Sequence, residues 1–372
     1  MKKELAESLL AKIMGWSDAE KATERARLES FAAYKYDEYQ QFAPGRRFIE
    51  SLALWLAQFD AGGERAAAYS FVRDRLLFVS ADEMHHLVEL TFPTVIQPLL
   101  IADTAKELNA NEAQIKAIVA TQAYRVRLRQ TLVLGLSDGA RTDGFRRANP
   151  EAMSNEQVFH TYDLSATKAD DMVAKLRRDL AKILGREPTE EEAKFRYVFL
   201  LDDFSASGTS FIRQAEDGAW EAKIPRITQA LEKADELGMA VAGAGVKIKI
   251  VLYIAADQAI KYIRDHLRKL PFSKGEVELV VIHELGPGAR LSEPDDAGIL
   301  GLAAQDRYFD DSVDDEHAKV GGTSKRFGYA GGRLPLVLSH NTPNNSIFIL
   351  WAEDLQKVRG LFPRVSRHRK LQ

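Results

Sequence analysis

A chain of 372 residues with 45% apolar and 28% charged side chains is long enough for two hydrophobic cores, since a single core stops growing near about 250–300 residues. Its formal charge of −3 excludes a globally basic nucleic-acid binder but leaves local basic stretches open, and the lack of cysteine excludes disulfides, thiolate zinc sites and cysteine nucleophiles. No apolar run reaches the roughly 18 residues of a membrane span, and Glu4 and Glu7 interrupt the start MKKELAESLLAKIMGW, so that segment reads as an amphipathic helix rather than a signal peptide; the expectation is a soluble, cytoplasmic protein with no membrane partner.

Residues 3–110 carry helical periodicity, clearest where Phe48, Leu52, Trp55, Leu56 and Phe59 recur at three- and four-residue spacings. A second helix over 65–76 leads into the short apolar stretch Leu77-Phe78-Val79. Ser80 then stands as an N-cap before Ala81, Asp82 and Glu83, opening a helix with an acidic first turn. The succession helix, helix, short strand, helix fits either a plain helical cap or a small winged-helix module, and residues 1–110 are assigned to it.

Beyond residue 110 the apolar runs become short and β-rich, with helices between them. Strands are predicted over 130–136, 197–201, 246–255, 277–283, 334–339 and 346–350, and helices over 168–184, 208–216, 226–237 and 256–267. Strands alternating with helices of this length predict an α/β domain, 111–372, with a mainly parallel sheet flanked by helices. Residues 287–332, rich in Gly and Asp, form a loop-rich insertion in this scheme. The tail after Lys357 is basic and reads as a solvated terminus or a phosphate contact.

The chemistry concentrates in YVFLLDDFSASGTSFIR, residues 197–213. A buried strand delivers Asp202 and Asp203 to the edge where open α/β sheets bind ligands. Adjacent carboxylates can accept hydrogen bonds from two ribose hydroxyls, or support a hydrated magnesium ion carried by the ligand. Ser205, Ala206, Ser207, Gly208, Thr209 and Ser210 are small or hydroxylated, and a helix expected from Phe211 would turn its N–H groups on an anion. A strand ending in a polar turn before a helix cap accounts for the same residues without function. Upstream, strand 131–134 runs into Gly135 and then Ser137, Asp138, Gly139, Ala140 and Arg141, a second loop that lets backbone approach an anion.

The order VFLL-DD-F-SA-S-G-T-S resembles the signature of type I phosphoribosyltransferases, with Ser207 where Thr is commoner. That resemblance implies phosphoribosyl diphosphate as co-substrate together with Mg2+, catalytic Asp202 and Asp203 on the ribose hydroxyls, and the 5-phosphate in 205–210. It sets Ser137, Asp138, Gly139 and Arg141 against the leaving diphosphate. Three further stretches, FIESLALWLAQF (48–59), LLFVSADEMHHL (76–87) and LVLSHNTPNNSIFILW (336–351), are similar to the phosphoribosyltransferase-like effectors of bacterial conflict systems, some of them retron-associated. By that likeness the chain is an anti-phage effector, with a reverse transcriptase–nucleic acid complex among its candidate partners; it implies substrate contacts for His340, Asn341, Asn344 and Asn345, residues that turn chemistry alone also explains. Two rival readings stand beside the transferase: a catalytically inactive nucleotide or phosphoribosyl sensor, and a nucleic-acid-binding component of a ribonucleoprotein. The acceptor and the oligomeric state are not legible.

Other candidates are set aside. His85 and His86 point about 100° apart on a helix and do not form a joint metal site. His283 ends an apolar strand as polar residues commonly do. The acidic run Asp306, Asp310, Asp311, Asp314, Asp315, Glu316 lacks the order of an EF-hand, and Gly321-Gly322-Thr323-Ser324-Lys325 lacks the first glycine of a P-loop.

Overall fold

A computed structural model describes residues 3–233, 236–353 and 357–365. Among them run nine strands: β1 (Leu77–Val79), β2 (Thr131–Gly135), β3 (Val158–Phe159), β4 (Tyr197–Ser205), β5 (Arg213–Gln214), β6 (Trp220–Glu221), β7 (Val246–Ala256), β8 (Gly275–Leu285) and β9 (Leu336–Leu338). The backbone divides into two compact units, Met1–Glu83 with Gly286–Gln372, and Met84–Leu285.

The second unit is the expected α/β body. Its main sheet has five strands, all parallel, in the order β3-β2-β4-β7-β8. β2, the first half of β4 and β7 are nearly continuous runs of buried apolar residues, as a sheet covered on both faces requires. Helix Ala166–Leu184 shows why the local sequence folds as it does. Ser165 caps its first turn by accepting from the Lys168 N–H at 3.4 Å. Ala169, Met172, Leu176 and Leu180 form its buried stripe, and Gly185 ends it at φ +69°, the left-handed conformation glycine tolerates. That stripe joins a core with Ile224, Ile227 and Leu231 of helix Lys223–Glu232, Ile260 and Ile263 of helix Asp257–Leu267, and the strand residues Leu132, Leu134, Val198 and Leu200. Helix Gln97–Leu108 belongs to this unit too, tied to the sheet by Asp103, which accepts from the Tyr197 hydroxyl at 2.9 Å and pairs with Lys247 at 2.7 Å. The contact division therefore does not follow the boundary expected near residue 110.

The first unit joins the beginning of the chain to its end. β1 pairs in parallel with β9, Leu77 opposite Leu336. Strand 334–339 was expected in the main sheet; its three paired residues lie in this separate two-stranded sheet instead. The expected strand 346–350 is replaced by a short helix, Phe348–Trp351, because a brief apolar run does not distinguish strand from buried helix. Helix Phe48–Leu56 is buried on nearly every side. Its Trp55 donates from Nε1 to the Ile349 carbonyl at 2.8 Å, and the Ser51 hydroxyl donates to the Leu361 carbonyl at 2.7 Å.

Residues 287–332 are not an inserted loop on the sheet domain. They send Leu291, Ile299, Leu300, Leu302, Tyr308 and Phe309 into the core of the first unit. Their acidic residues cap short helical turns and pair with basic neighbours: Asp310 accepts from the Ser312 N–H and Asp315 from the Ala318 N–H, Lys325 meets Asp315 at 2.7 Å and Arg326 meets Asp306 at 2.8 Å.

Glu64 ties this segment to helix Gly63–Asp74. Burial would raise its pKa, but hydrogen bonds from the Tyr308 hydroxyl (2.6 Å), Gln305 (2.9 Å) and the Asp60 N–H (2.9 Å), with the Arg307 charge, outweigh burial and lower it from 4.5 to about 2. A depressed carboxylate stabilises the fold above its unfolded pKa, and that contribution disappears as pH falls through the folded value. Glu64→Gln is therefore expected to lower the urea midpoint at pH 7 and to match wild type near pH 2. An equal deficit at both pH values would show that shape, not charge, is what the substitution removes.

Candidate functional site

In the second unit the chain leaves β2 toward β3 on one side and returns past β2 to β4 on the other. The strand order reverses between β2 and β4, and open α/β sheets hold ligands in the crevice beyond the strand ends at that point. The segment after β2, 136–141, and the end of β4 with 206–210 flank it. Both loops singled out from the sequence thus occupy the topologically favoured place.

β4 runs further than the expected 201 and ends at Ser205, so the acid pair lies inside the strand, where successive side chains point to opposite faces. Asp202 is 2% exposed. Its Oδ1 accepts from the Ser137 hydroxyl, and Oδ2 pairs with Lys223 Nζ at 2.8 Å. Burial holds its pKa above 3.8; Lys223 opposes this, the Asp203 charge adds to it, and the Ser137 hydroxyl opposes it. Asp203 is half-buried and accepts from the Phe204 N–H through Oδ1 at 2.8 Å. Its carboxylate lies against Gly139, where an added Cβ would overlap it.

The loop after β2 is organised around Ser137, whose Oγ also accepts from the Gly139 N–H at 3.1 Å. Arg141 follows at φ +47°, an uncommon conformation for a residue with a Cβ. Tyr253 of β7 donates its hydroxyl to the Ala140 carbonyl at 2.5 Å. Burial pushes that phenol well above its usual range, the charges of Asp202 and Asp203 push it further, and Arg141 pulls it back. Ser137, Gly139, Ala140, Arg141, Asp202 and Asp203 thus form one electrostatic neighbourhood; Asp138 is exposed beside it.

Gly139→Ala is expected to displace the Asp203 carboxylate while leaving the sheet intact. A crystal structure of the variant should show that carboxylate turned away from residue 139, with little change in melting temperature. A carboxylate left in place would show that the 137–141 loop, not Asp203, gives way.

The segment after β4 departs from expectation. No helix forms over 208–216. Gly208 sits at φ +81° and packs against Tyr262, Ile263 and Ala259, and its carbonyl accepts from the Phe211 and Ile212 N–H groups. The chain then makes a hairpin of β5 and β6. Asp217-Gly218 supplies its turn, with Gly218 at φ +84° and the Ala219 N–H bonded to Asp217 Oδ1 at 2.9 Å. Asp-Gly is a hairpin signal, and here the hairpin takes the place of the helix expected through 216. The anion cradle therefore has no helix terminus behind it. What remains is a turn whose Gly208 N–H donates to Ser205 Oγ at 3.2 Å and whose Thr209 N–H donates to Ser207 Oγ at 3.4 Å. Both bonds are longer than the roughly 2.7–2.9 Å of an N–H to a charged oxygen, so a phosphate can replace them. Ser205, Ala206, Ser207 and Gly208 are buried, Thr209 is half-buried and Ser210 exposed.

Lys223 and Tyr253 were not singled out from the sequence. Tyr253 is hidden inside an apolar strand, and Lys223 reaches Asp202 only because the hairpin returns the chain to it. His340, Asn341, Asn344 and Asn345 lie in the first unit, where each takes part in bonds that hold the fold. The His340 carbonyl accepts from Gln41, Asn341 exchanges backbone bonds with Leu338, the Asn344 carbonyl accepts from the Tyr329 N–H, and Asn345 Nδ2 donates to the Tyr329 carbonyl at 3.0 Å.

Three comparisons bear on identity. A family model described as PRTase-CE matches residues 52–364. No curated protein matches the chain. A solved structure described as that of the AQ2163 protein from Aquifex aeolicus is similar at 14% identity over 66% of this chain and 86% of that one, with a TM-score of 0.22, too slight a likeness to carry weight.

Proposed function

The chain belongs to the PRTase-CE family, a phosphoribosyltransferase-like family, and from that premise we propose that its switch-point loops grip a ribose 5-phosphate group, borne by phosphoribosyl diphosphate or by a nucleotide. One observation carries the reading: an acid pair and a small hydroxyl-rich turn follow one another at the end of β4, across the strand reversal from the Ser137–Arg141 loop. The carboxylates receive ribose hydroxyls, and the Gly208 and Thr209 N–H groups receive phosphate oxygens. Asp138, Gly139 and Arg141 face the diphosphate.

Magnesium fits as a passenger of the ligand. Among the described residues no group of three or more His, Asp or Glu side chains is placed to hold a metal, and Asp202 already has Lys223 and Ser137 as partners. When bound with the ligand, the ion supplies charge neutralisation for a leaving diphosphate. In the transferase reading the bond from the anomeric carbon to diphosphate breaks as a bond from the acceptor forms. The chain's own part is positioning and electrostatic stabilisation.

A sensor that binds the same group without chemistry is the second reading. Diphosphate release separates the two. Protein, phosphoribosyl diphosphate and magnesium are incubated with a nucleotide or cell-extract pool; the transferase releases diphosphate above the Asp202→Asn/Asp203→Asn background, and the sensor binds without release.

The effector role in an anti-phage system, retron-associated or not, belongs to the same proposal and is supported by the three stretches 48–59, 76–87 and 336–351. Parts of all three enter the first unit, where β1 meets β9 and Trp55 meets Ile349. A cytoplasmic site of action accords with this role. Among the described residues no helix is long and apolar enough to cross a membrane.

A further inference from the structure

A phosphate monoester carries up to two negative charges, and the turn 205–210 contains neither lysine nor arginine. Without a helix behind it, the turn also lacks the partial positive charge of a helix N-terminus. The structure brings a cation there by another route. The β5–β6 hairpin folds the chain back so that the Ile224 N–H donates to the Phe211 carbonyl at 2.9 Å. Lys223, the first residue of helix Lys223–Glu232, then places Nζ 5.0 Å from the centre of the Phe211 ring, directly after the turn. Its side chain is 27% exposed, and Nζ donates to Asp202 Oδ2 at 2.8 Å. An ammonium group has three N–H donors.

Building on the ribose-phosphate reading of this loop, we propose that Lys223 is a further ligand-binding residue, a cation shared between Asp202 and the phosphate held by turn 205–210. The ligand class is a phosphate monoester dianion, with the sugar phosphate as its full form. In the ligand-free state Asp202 holds the ammonium in place and the pair is neutral; on binding, Lys223 turns remaining donors to the phosphate oxygens.

Inorganic phosphate tests this separately from ribose recognition, since it has no hydroxyls for the acid pair to accept. Binding is measured by phosphorus NMR line broadening on wild type, Asp202→Asn and Asp202→Asn/Lys223→Met. Removing the competing carboxylate leaves the Lys223 charge unshared, so Asp202→Asn is expected to bind phosphate about fivefold more tightly, about 1 kcal/mol. Adding Lys223→Met should then weaken binding to about fivefold below wild type. The double variant is used because Lys223→Met alone would strand a buried carboxylate and risk the fold. No gain in Asp202→Asn overturns the inference even if the double variant fails to fold, as does a double variant that binds like Asp202→Asn. In either case ribose 5-phosphate binding by wild type leaves the reading of the loop standing. Wild type that binds neither phosphate nor ribose 5-phosphate overturns both.

Discussion

Replacing Asp202 and Asp203 together by asparagine is expected to lower affinity for phosphoribosyl diphosphate by at least about thirtyfold. Each carboxylate that accepts a ribose hydroxyl contributes roughly 1.5–3 kcal/mol as a charged hydrogen bond, so two lost bonds amount to about 3 kcal/mol or more, of which the unshared Lys223 charge returns about 1 kcal/mol. Asparagine keeps the shape, and β4 should hold its register with Leu252 and Ile254. Titration calorimetry with a melting control separates lost recognition from lost structure. Retained affinity within about threefold would remove the acid pair from the site.

Asp202 adds a pH signature to that experiment. Burial holds its folded pKa above 3.8, so the native protein takes up this proton more readily than the unfolded chain. Its contribution to stability is then greatest below 3.8 and is lost as pH rises through the folded value. Asp202→Asn should remove that part of the pH dependence. Ligand affinity moves the opposite way, weakening as acid protonates the carboxylate.

The largest effect on stability is expected from Phe362→Ala. Phe362 is fully buried, and its ring lies 5.2–6.0 Å from those of Tyr36, Tyr39, Phe42, Phe48 and Phe78. A residue near the end of the chain thus closes a core built from its beginning. Truncating such a side chain costs about 3–5 kcal/mol, a large share of the roughly 5–15 kcal/mol that holds most proteins folded. Phe362→Leu should cost markedly less. Urea unfolding provides the measurement, and a loss under about 1 kcal/mol for the alanine variant would mean that the ring cluster does not hold the two ends together.

The acid pair and both loops were legible because their chemistry is local. A strand run followed by Asp-Asp and a small hydroxylated turn can be read within a dozen residues. Four of the sheet strands were legible for the same reason, since long β-rich runs between helices leave few alternatives. What could not be read depends on contacts between distant positions. β9 pairs with β1 across more than two hundred and fifty residues, and nothing in Leu336-Val337-Leu338 says which strand it will join. Phe348–Trp351 is equally apolar as helix or strand. The helix expected over 208–216 gives way to the β5–β6 hairpin, whose Asp217-Gly218 turn lies just past that window. Lys223 is remote from Asp202 in sequence and meets it only once the hairpin forms.

The central claim is that ribose 5-phosphate is held at the strand reversal between β2 and β4. Amide hydrogen exchange with and without saturating ribose 5-phosphate tests it most directly. Protection is expected in 136–141 and 203–210 and around Lys223, with the groove at the opposite strand ends, lined by Arg177, Lys194 and Met239, unchanged. Protection at that groove, or none in either loop despite measurable binding, would contradict the claim.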